Sequence, residues 1–431
     1  MKIELKYGHG VQTADLGGWP VVGRIEGHFT AGGRTENEVM EDALAHPIDS
    51  APLSHLVRAG ERVCVVLPDI TRAWQHTERY LPMIVRELEK GGVADSDIVF
   101  LSGTGTHRAQ TEEEHARLLG PELAGRFQVL DHDCRDQAAH QYLGTTSRGT
   151  PVEIDRRAME CDRIVICGAI VYHLLAGWSG GKKALLPGIA SYRTIMANHS
   201  LSLVPGLGNG VQPGVHSGNL AGNLVHEDMM EAASFVQPCF LFNVVTDSDG
   251  RIVGAVAGNY VSAHAKGRKL VEQVESAPIP ELSDVVIASA GGYPRDINLY
   301  QSIKLLINAR EAVRPGGTLI MLSECSEGVG GDAGMAKLVT GFDTLEEREK
   351  FLRDDYTISK YVGYYFCASA KDFRLILVSQ LEPSTLRGVG ITMVKTLEEA
   401  VRVAREQAGP DAKVRLMPNG ANTFPILTPA G

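Results

Sequence analysis

Seven cysteines are scattered through 431 residues with no C-x-x-C pair among them, which excludes a thiolate zinc site and a disulfide framework and suits a reducing compartment. No long Lys/Arg run offsets a formal net charge of -10, so no nucleic-acid partner is expected. No stretch approaches the roughly 18 to 20 apolar residues of a membrane span, and the opening MKIELKYGHG has no apolar signal-peptide core. The expectation is a cytoplasmic protein without membrane association. Common catalytic signatures are also missing. No H-E-x-x-H occurs, and the lysine-containing stretch at 176–183 fails as a Walker A loop, because Ala176 replaces its first glycine and Lys183 follows Lys182. Gly103-Thr104-Gly105 is an incomplete dinucleotide fingerprint, with Arg108 at the third glycine position.

What is present reads as an ordinary globular chain, 44% hydrophobic and 22% charged, long enough for two or three domains. Short apolar runs alternate with helix-period segments, the pattern of an α/β architecture with largely parallel sheets. Strands are expected at 62–67, 98–102 and 163–168, and in a second series at 284–289, 317–323, 373–379 and 391–396. Between the first two, Leu81, Ile84, Val85 and Leu88 recur at helical spacing before Gly91-Gly92, a C-cap signal. Pro278 and Pro280 mark a boundary. The expected organisation is an N-terminal α/β domain over 1–277, a C-terminal α/β domain over 278–405 and a tail, 406–431, of unassigned domain.

Ligands of open α/β sheets sit beyond the carboxyl ends of the strands. The loops after the first three strands carry Asp69, Thr71, Arg72, Thr104, Thr106, His107, Arg108 and His173. Arg72 reads either as a surface ion pair with Asp69 or as an anion clamp. His107 and His173, at the ends of separate strands, suit general acid/base work because imidazole titrates near neutrality. His199 has no accompanying ligand cluster, and spacing alone makes it structural. In the second series, GGYPRDINLYQSIK (291–304) leads from a strand through a turn into a helix, with Asp296 near the N-cap and Tyr300, Gln301 and Lys304 on one helical surface. A solvated face with Ile303, Leu306 and Ile307 buried opposite is the plain alternative.

Together these motifs resemble the nickel-dependent lactate racemase family. D-x-T-R appears as Asp69 to Arg72, G-T-H-R as Gly105 to Arg108, Y-H-x-x-A-G-x-S-G-G-x-K as Tyr172 to Lys183, then Asn198-His199, and G-G-Y-P-x-D-x-x-x-Y-Q-x-x-K as Gly291 to Lys304. The resemblance implies two α/β domains with an active-site cleft between them. It also implies racemisation or epimerisation of a small-molecule 2-hydroxy acid, by hydride abstraction and return through a 2-keto acid. The implied cofactor is a nickel-pincer nucleotide, nickel pyridinium-3,5-bisthiocarboxylic acid mononucleotide, made by cofactor-assembly enzymes. By the same resemblance His199 is the protein's nickel ligand and Lys183 the covalent attachment point, with Ser179, Gly180 and Gly181 beside the cofactor. His107 and His173 are the catalytic pair, and Asp69, Arg72, Tyr300, Gln301 and Lys304 bind substrate. Family members acting on lactate commonly carry proline after the D-x-T-R arginine, whereas Ala73-Trp74 follows here, so acids larger than lactate are compatible. A carboxylate-binding homologue without catalysis and a nicotinamide-dependent dehydrogenase are the alternatives.

Overall fold

The computed structural model describes residues 1–27 and 32–428. The chain forms two compact units, one of Met1–His28, Leu203–Val211 and Glu275–Gly431, the other of Phe29–Ser202 and Gln212–Val274.

The second unit is built on a six-stranded sheet ordered Ile252–Gly258, Phe240–Thr246, Arg163–Ala169, Val63–Pro68, Ile98–Gly103, Val129–Asp131. All neighbours are parallel except the first pair. Both faces are covered, which is why Val63, Cys64, Val65 and Val66 form an unbroken buried run rather than an alternating one. The helix Thr77–Lys90 returns the chain between the first two strands and buries Leu81, Ile84, Val85 and Leu88 at the expected spacing. In chain order the strands read 3-2-1-4-5-6 from one edge. The order therefore reverses between Val63–Pro68 and Arg163–Ala169, the position where doubly wound sheets open a crevice for ligands. The loop bearing Asp69 and Arg72 leaves one of these strands and the segment bearing His173 leaves the other.

The first unit has a six-stranded, all-parallel sheet ordered Thr392–Val394, Arg374–Val378, Val313–Leu322, Ser283–Ser289, Val414–Met417, Val21–Arg24. Its membership departs from the expected boundaries at both termini. Residues 1–28 do not stay with the segment that follows them. Val21–Arg24 pairs with Val414–Met417, and the hairpin Lys2–Tyr7/Gly10–Asp15 buries Ile3, Leu5 and Tyr7 in one cluster with Val285, Ile287 and Leu416. The tail joins this unit too. Val414–Met417 fills the sheet beside Ser283–Ser289, and Phe424–Leu427 pairs with Ser276–Ile279; its last residues, 429–431, lie outside the described ones.

Candidate active site

Asp69 follows the strand Val63–Pro68 and caps the 3-10 turn Ile70–Gln75, accepting the Thr71 N–H at 2.7 Å. Its other carboxylate oxygen lies 2.9 Å from Nδ1 of His107, with Thr71 Oγ1 at 3.4 Å from the same nitrogen. A carboxylate only accepts, so Nδ1 carries a proton and Nε2 of neutral His107 presents its lone pair. Asp69 is 5% exposed and His107 42%. Burial pushes the Asp69 carboxyl up, but the hydrogen bonds from His107 and Thr71 outweigh it and hold the group below the usual carboxylate range. Arg72 follows on the same turn and forms no ion pair with Asp69 or any other described acid, which removes the surface-pair reading. Arg108 is engaged elsewhere, in a two-point pair with Glu114 at 2.8 and 2.6 Å. Trp74 is 39% exposed and so is not a core residue.

His173 is bonded in the opposite sense. It sits in the small hairpin Tyr172–His173/Gly177–Trp178, whose turn aims the N–H groups of Leu175 and Ala176 at its Nδ1, both at 3.2 Å. Nδ1 is thereby an acceptor, so the neutral ring's proton resides on Nε2. Lys183 Nζ lies 3.2 Å from that Nε2. An N–H there can be accepted only by an unprotonated amine, and the environment favours one: burial, then the charge of Arg72, lowers Lys183 to about 7. Burial, then Lys183, His199 and Arg72, holds His173 well below the ordinary imidazole value.

His199 occupies the last turn of the helix Tyr192–Ser200, which Ser191 caps by accepting the Thr194 N–H. It is 1% exposed, and its Nδ1 is buried without a partner. Burial, then the neighbouring charge of Lys183, lowers it to about 3 against the opposing effect of the Ile195 carbonyl, which leaves a neutral imidazole with one ring-nitrogen lone pair. Among the described residues no three His, Cys, Asp or Glu side chains converge on a metal position. Ser179 is bonded into the strand end, accepting from Val171 N at 2.9 Å and donating to Ala169 O at 3.0 Å. The glycines around it serve close packing. A Cβ at Gly180 would stand 2.5 Å from Asn243 Oδ1 and one at Gly181 2.9 Å from the His264 ring, and both have positive φ. Asn243, invisible to motif reasoning on a strand of apolar residues, accepts the Gly181 N–H at 2.9 Å and fixes this turn.

Tyr300, Gln301 and Lys304 belong to the other unit, on the helix Leu299–Ala309. Its N-cap is Asn298, which accepts the Gln301 N–H at 2.9 Å. Asp296, expected near the cap, is instead buried and accepts the Gly8 N–H at 2.7 Å, so it ties the N-terminal hairpin to this turn. Ile303, Leu306 and Ile307 are buried, Tyr300 and Gln301 partly so, and Lys304 is exposed. The structure thus groups Asp69, Arg72, His107, His173, Ser179, Gly180, Gly181, Lys183 and His199 in one unit.

The family model for the lactate racemase N-terminal domain matches residues 7–209, and that for the lactate racemase C-terminal domain matches 279–424. The chain belongs to the lactate racemase family. Two lactate racemases align over 90% of this chain and 90% of their own length. One, from Lactiplantibacillus plantarum, is 33% identical, and one from Thermoanaerobacterium thermosaccharolyticum is 30% identical. The solved lactate racemase apoprotein of the latter organism superposes with a TM-score of 0.86, covering 99% of this chain and 100% of that one. A Thermotoga maritima protein from structural genomics, 17% identical with a TM-score of 0.61 over 93% of this chain and 100% of its own, shares the fold. Lactate racemase family membership places the chain among the isomerases. No helix among its described residues is long and apolar enough to cross a membrane.

Proposed function

We propose that the protein racemises or epimerises a 2-hydroxy acid with a nickel-pincer nucleotide held by Lys183 and His199. The observation that carries this reading is the opposite bonding of the two histidines. Asp69 fixes His107 with a free Nε2 lone pair, while two backbone N–H groups fix His173 with its proton on Nε2. One ring is set to take a hydroxyl proton and the other to return one. Inverting a carbinol carbon needs that pair, because the two enantiomers direct their hydroxyls differently.

An imidazole is not basic enough to remove the hydrogen on the α-carbon of a 2-hydroxy acid, since even the unperturbed side chain, near 6.5, has almost no driving force against so weak an acid. The nucleotide, when bound, supplies the acceptor for that hydrogen and its electron pair. Two features fit such a group: a buried His199 with an unpartnered ring nitrogen, suited as imidazole to nickel, and a buried Lys183 whose amine is partly uncharged and hence nucleophilic. Arg72 clamps the substrate carboxylate, and Tyr300, Gln301 and Lys304 are the substrate-binding groups of the other unit. Ala73 stands in place of the usual proline, and the exposed Trp74 beside it is compatible with an acid bulkier than lactate.

The division of labour is tested with substrate deuterated at the α-carbon and racemised in ordinary water by the cofactor-loaded enzyme. The histidines handle only the hydroxyl proton, so the label is expected to survive many turnovers; α-protium appearing by NMR at the racemisation rate would overturn the assignment. Arg72→Lys is expected to raise KM and lower kcat, together about tenfold to a hundredfold in kcat/KM, because a point charge replaces a two-point charge-assisted hold. Unchanged steady-state kinetics would place Arg72 outside the site.

A further inference from the structure

His132 lies just past the strand Val129–Asp131, outside every motif named above. Its side chain and that of Asp155 are both 0% exposed. Nδ1 of the ring is 2.9 Å from a carboxylate oxygen of Asp155, and Nε2 is 2.9 Å from the carbonyl oxygen of Ala190. Burial pushes the Asp155 carboxyl up, but the hydrogen bonds from Arg157 and His132 outweigh it and hold the group well below the usual carboxylate range. Carboxylate and carbonyl oxygens only accept, so both ring nitrogens donate and His132 is an imidazolium. A neutral ring would set a nitrogen lone pair against an oxygen lone pair with no water in reach. The neighbouring charged groups are committed. Arg157 donates to Asp155 from Nε at 3.0 Å and Nη2 at 2.7 Å, the Asp131 carboxylate is held by Gln110 and His115, and that of Glu153 by Ser191 and Arg193. His140 stands edge-on at 5.1 Å between ring centres. It donates from Nδ1 to Asp136 O at 2.7 Å, and burial, then the His132 charge, lowers it from the ordinary imidazole value.

The ring and the backbone of this residue hold different parts of the candidate site. Ala190 belongs to the segment that runs from Lys183 to Ser191, the cap of the helix bearing His199. Along that segment Lys183 O accepts the Gly188 N–H at 3.1 Å, Ile189 O accepts the Asp155 N–H at 2.9 Å, and the Ser191 N–H donates to Glu153 O at 2.9 Å. The His132–Asp155 pair thus grips two consecutive carbonyls, one through the imidazolium and one through the Asp155 backbone. The backbone of His132 faces the other way. Its carbonyl accepts Thr104 Oγ1 at 2.6 Å, Thr104 O accepts the His107 N–H at 2.9 Å, and the Gly105 N–H donates to Gly188 O at 2.9 Å.

We propose that His132 is a positioning residue of this site: its imidazolium fixes the Ala190 carbonyl and thereby holds the segment between Lys183 and His199 against the loop of His107. It touches no reacting atom. An imidazolium suits the task because it is a rigid ring with two opposed charge-assisted donors; with Nδ1 fastened to Asp155, the direction of the Nε2 bond is set. That the alignment serves catalysis rests on the function proposed above, whereas the hold of the ring on the segment does not.

Two substitutions separate the two ring bonds. The amide nitrogen of Asn overlays Nδ1 of a histidine and that of Gln overlays Nε2, so His132→Asn keeps the bond to Asp155 and loses Ala190, while His132→Gln keeps Ala190 and loses Asp155. In the full chain made without cofactor, nitrogen-15 NMR of the parent is expected to show protons on both nitrogens of His132. Amide hydrogen exchange over residues 188–195 is expected to be about tenfold faster in His132→Asn and within roughly threefold of the parent in His132→Gln. In cofactor-loaded protein, His132→Asn is expected to lower kcat by roughly tenfold to a hundredfold with KM within about threefold, and His132→Gln to restore kcat. A role in stability alone would lower the melting temperature of both variants without dividing them in exchange or in kcat. One unprotonated ring nitrogen in the parent, equal exchange in the two variants, or a kcat that does not divide them would overturn the proposal. Should His132→Asn not fold, His132→Gln decides: parent-like exchange supports the proposal, and exchange raised about tenfold overturns it. Ring protonation and exchange are read without cofactor, so a chain that racemised no acid would leave both unchanged and would fail the proposed reaction alone.

Discussion

His199→Ala is expected to abolish nickel retention in protein made with the cofactor-assembly enzymes, while His107→Ala and His173→Ala keep nickel near the parent level. The difference follows from what each ring already does. Nδ1 of His107 is committed to Asp69, and Nδ1 of His173 to the N–H groups of Leu175 and Ala176. Nδ1 of His199 has no partner in a site closed to water, and an imidazole lowered to about 3 does not need to lose a proton before it binds a metal. Its helix is also well anchored. Ser191 caps the start, Thr194 Oγ1 donates to Pro151 O at 2.7 Å, and Asn198 next to it donates to Asp228 at 2.8 Å. A ligand held so firmly gives a metal a defined position. Nickel per chain, measured by elemental analysis after gel filtration, decides the matter. Equal nickel in the three variants would remove His199 from the metal site.

The chemistry of the strand ends was readable because it obeys a rule of sheets. Val63–Pro68, Ile98–Gly103 and Arg163–Ala169 are unbroken apolar runs, and polar residues that follow such runs emerge where doubly wound sheets place ligands. That reasoning singled out Asp69, Arg72, His107 and His173. It could not find their hydrogen-bond polarity. Nothing in the residue identities of Leu175 and Ala176 shows that their amides point at an imidazole, because the information lies in the turn. Gly180 and Gly181 were visible but their meaning was not, since they accommodate Asn243 and His264, both more than 60 residues away in the chain. The N-terminus failed for a similar reason. The hairpin at 2–15 and the strand at 21–24 alternate in burial like any edge elements, and only pairing with Val414–Met417 reveals which core they complete. Lys182 is buried to 1% exposure while the adjacent Lys183 is only partly buried. A burial contrast between adjacent lysines has no sequence signature.

Asp69→Asn is expected to lower kcat by about 10²- to 10⁴-fold, the usual range for losing a general base or its correct tautomer. The substitution changes one hydrogen bond in kind. The carboxylate can only accept from His107 Nδ1, whereas an amide can turn its NH₂ toward that nitrogen and make it an acceptor. His107 would then hold its proton on Nε2, as His173 does. Two rings of the same tautomer leave no base for the incoming hydroxyl. The loss obeys one thermodynamic constraint whatever its cause. Enantiomers have equal free energies, so for a true racemisation kcat/KM must fall by the same factor in both directions, while kcat and KM for each direction are free to separate. Nitrogen-15 NMR of the histidine ring supplies an independent reading, with the protonated nitrogen of His107 moving from Nδ1 in the parent to Nε2 in the variant. Activity within roughly threefold of the parent, or a His107 tautomer unmoved by the substitution, would show that the Asp69–His107 bond does not set the base.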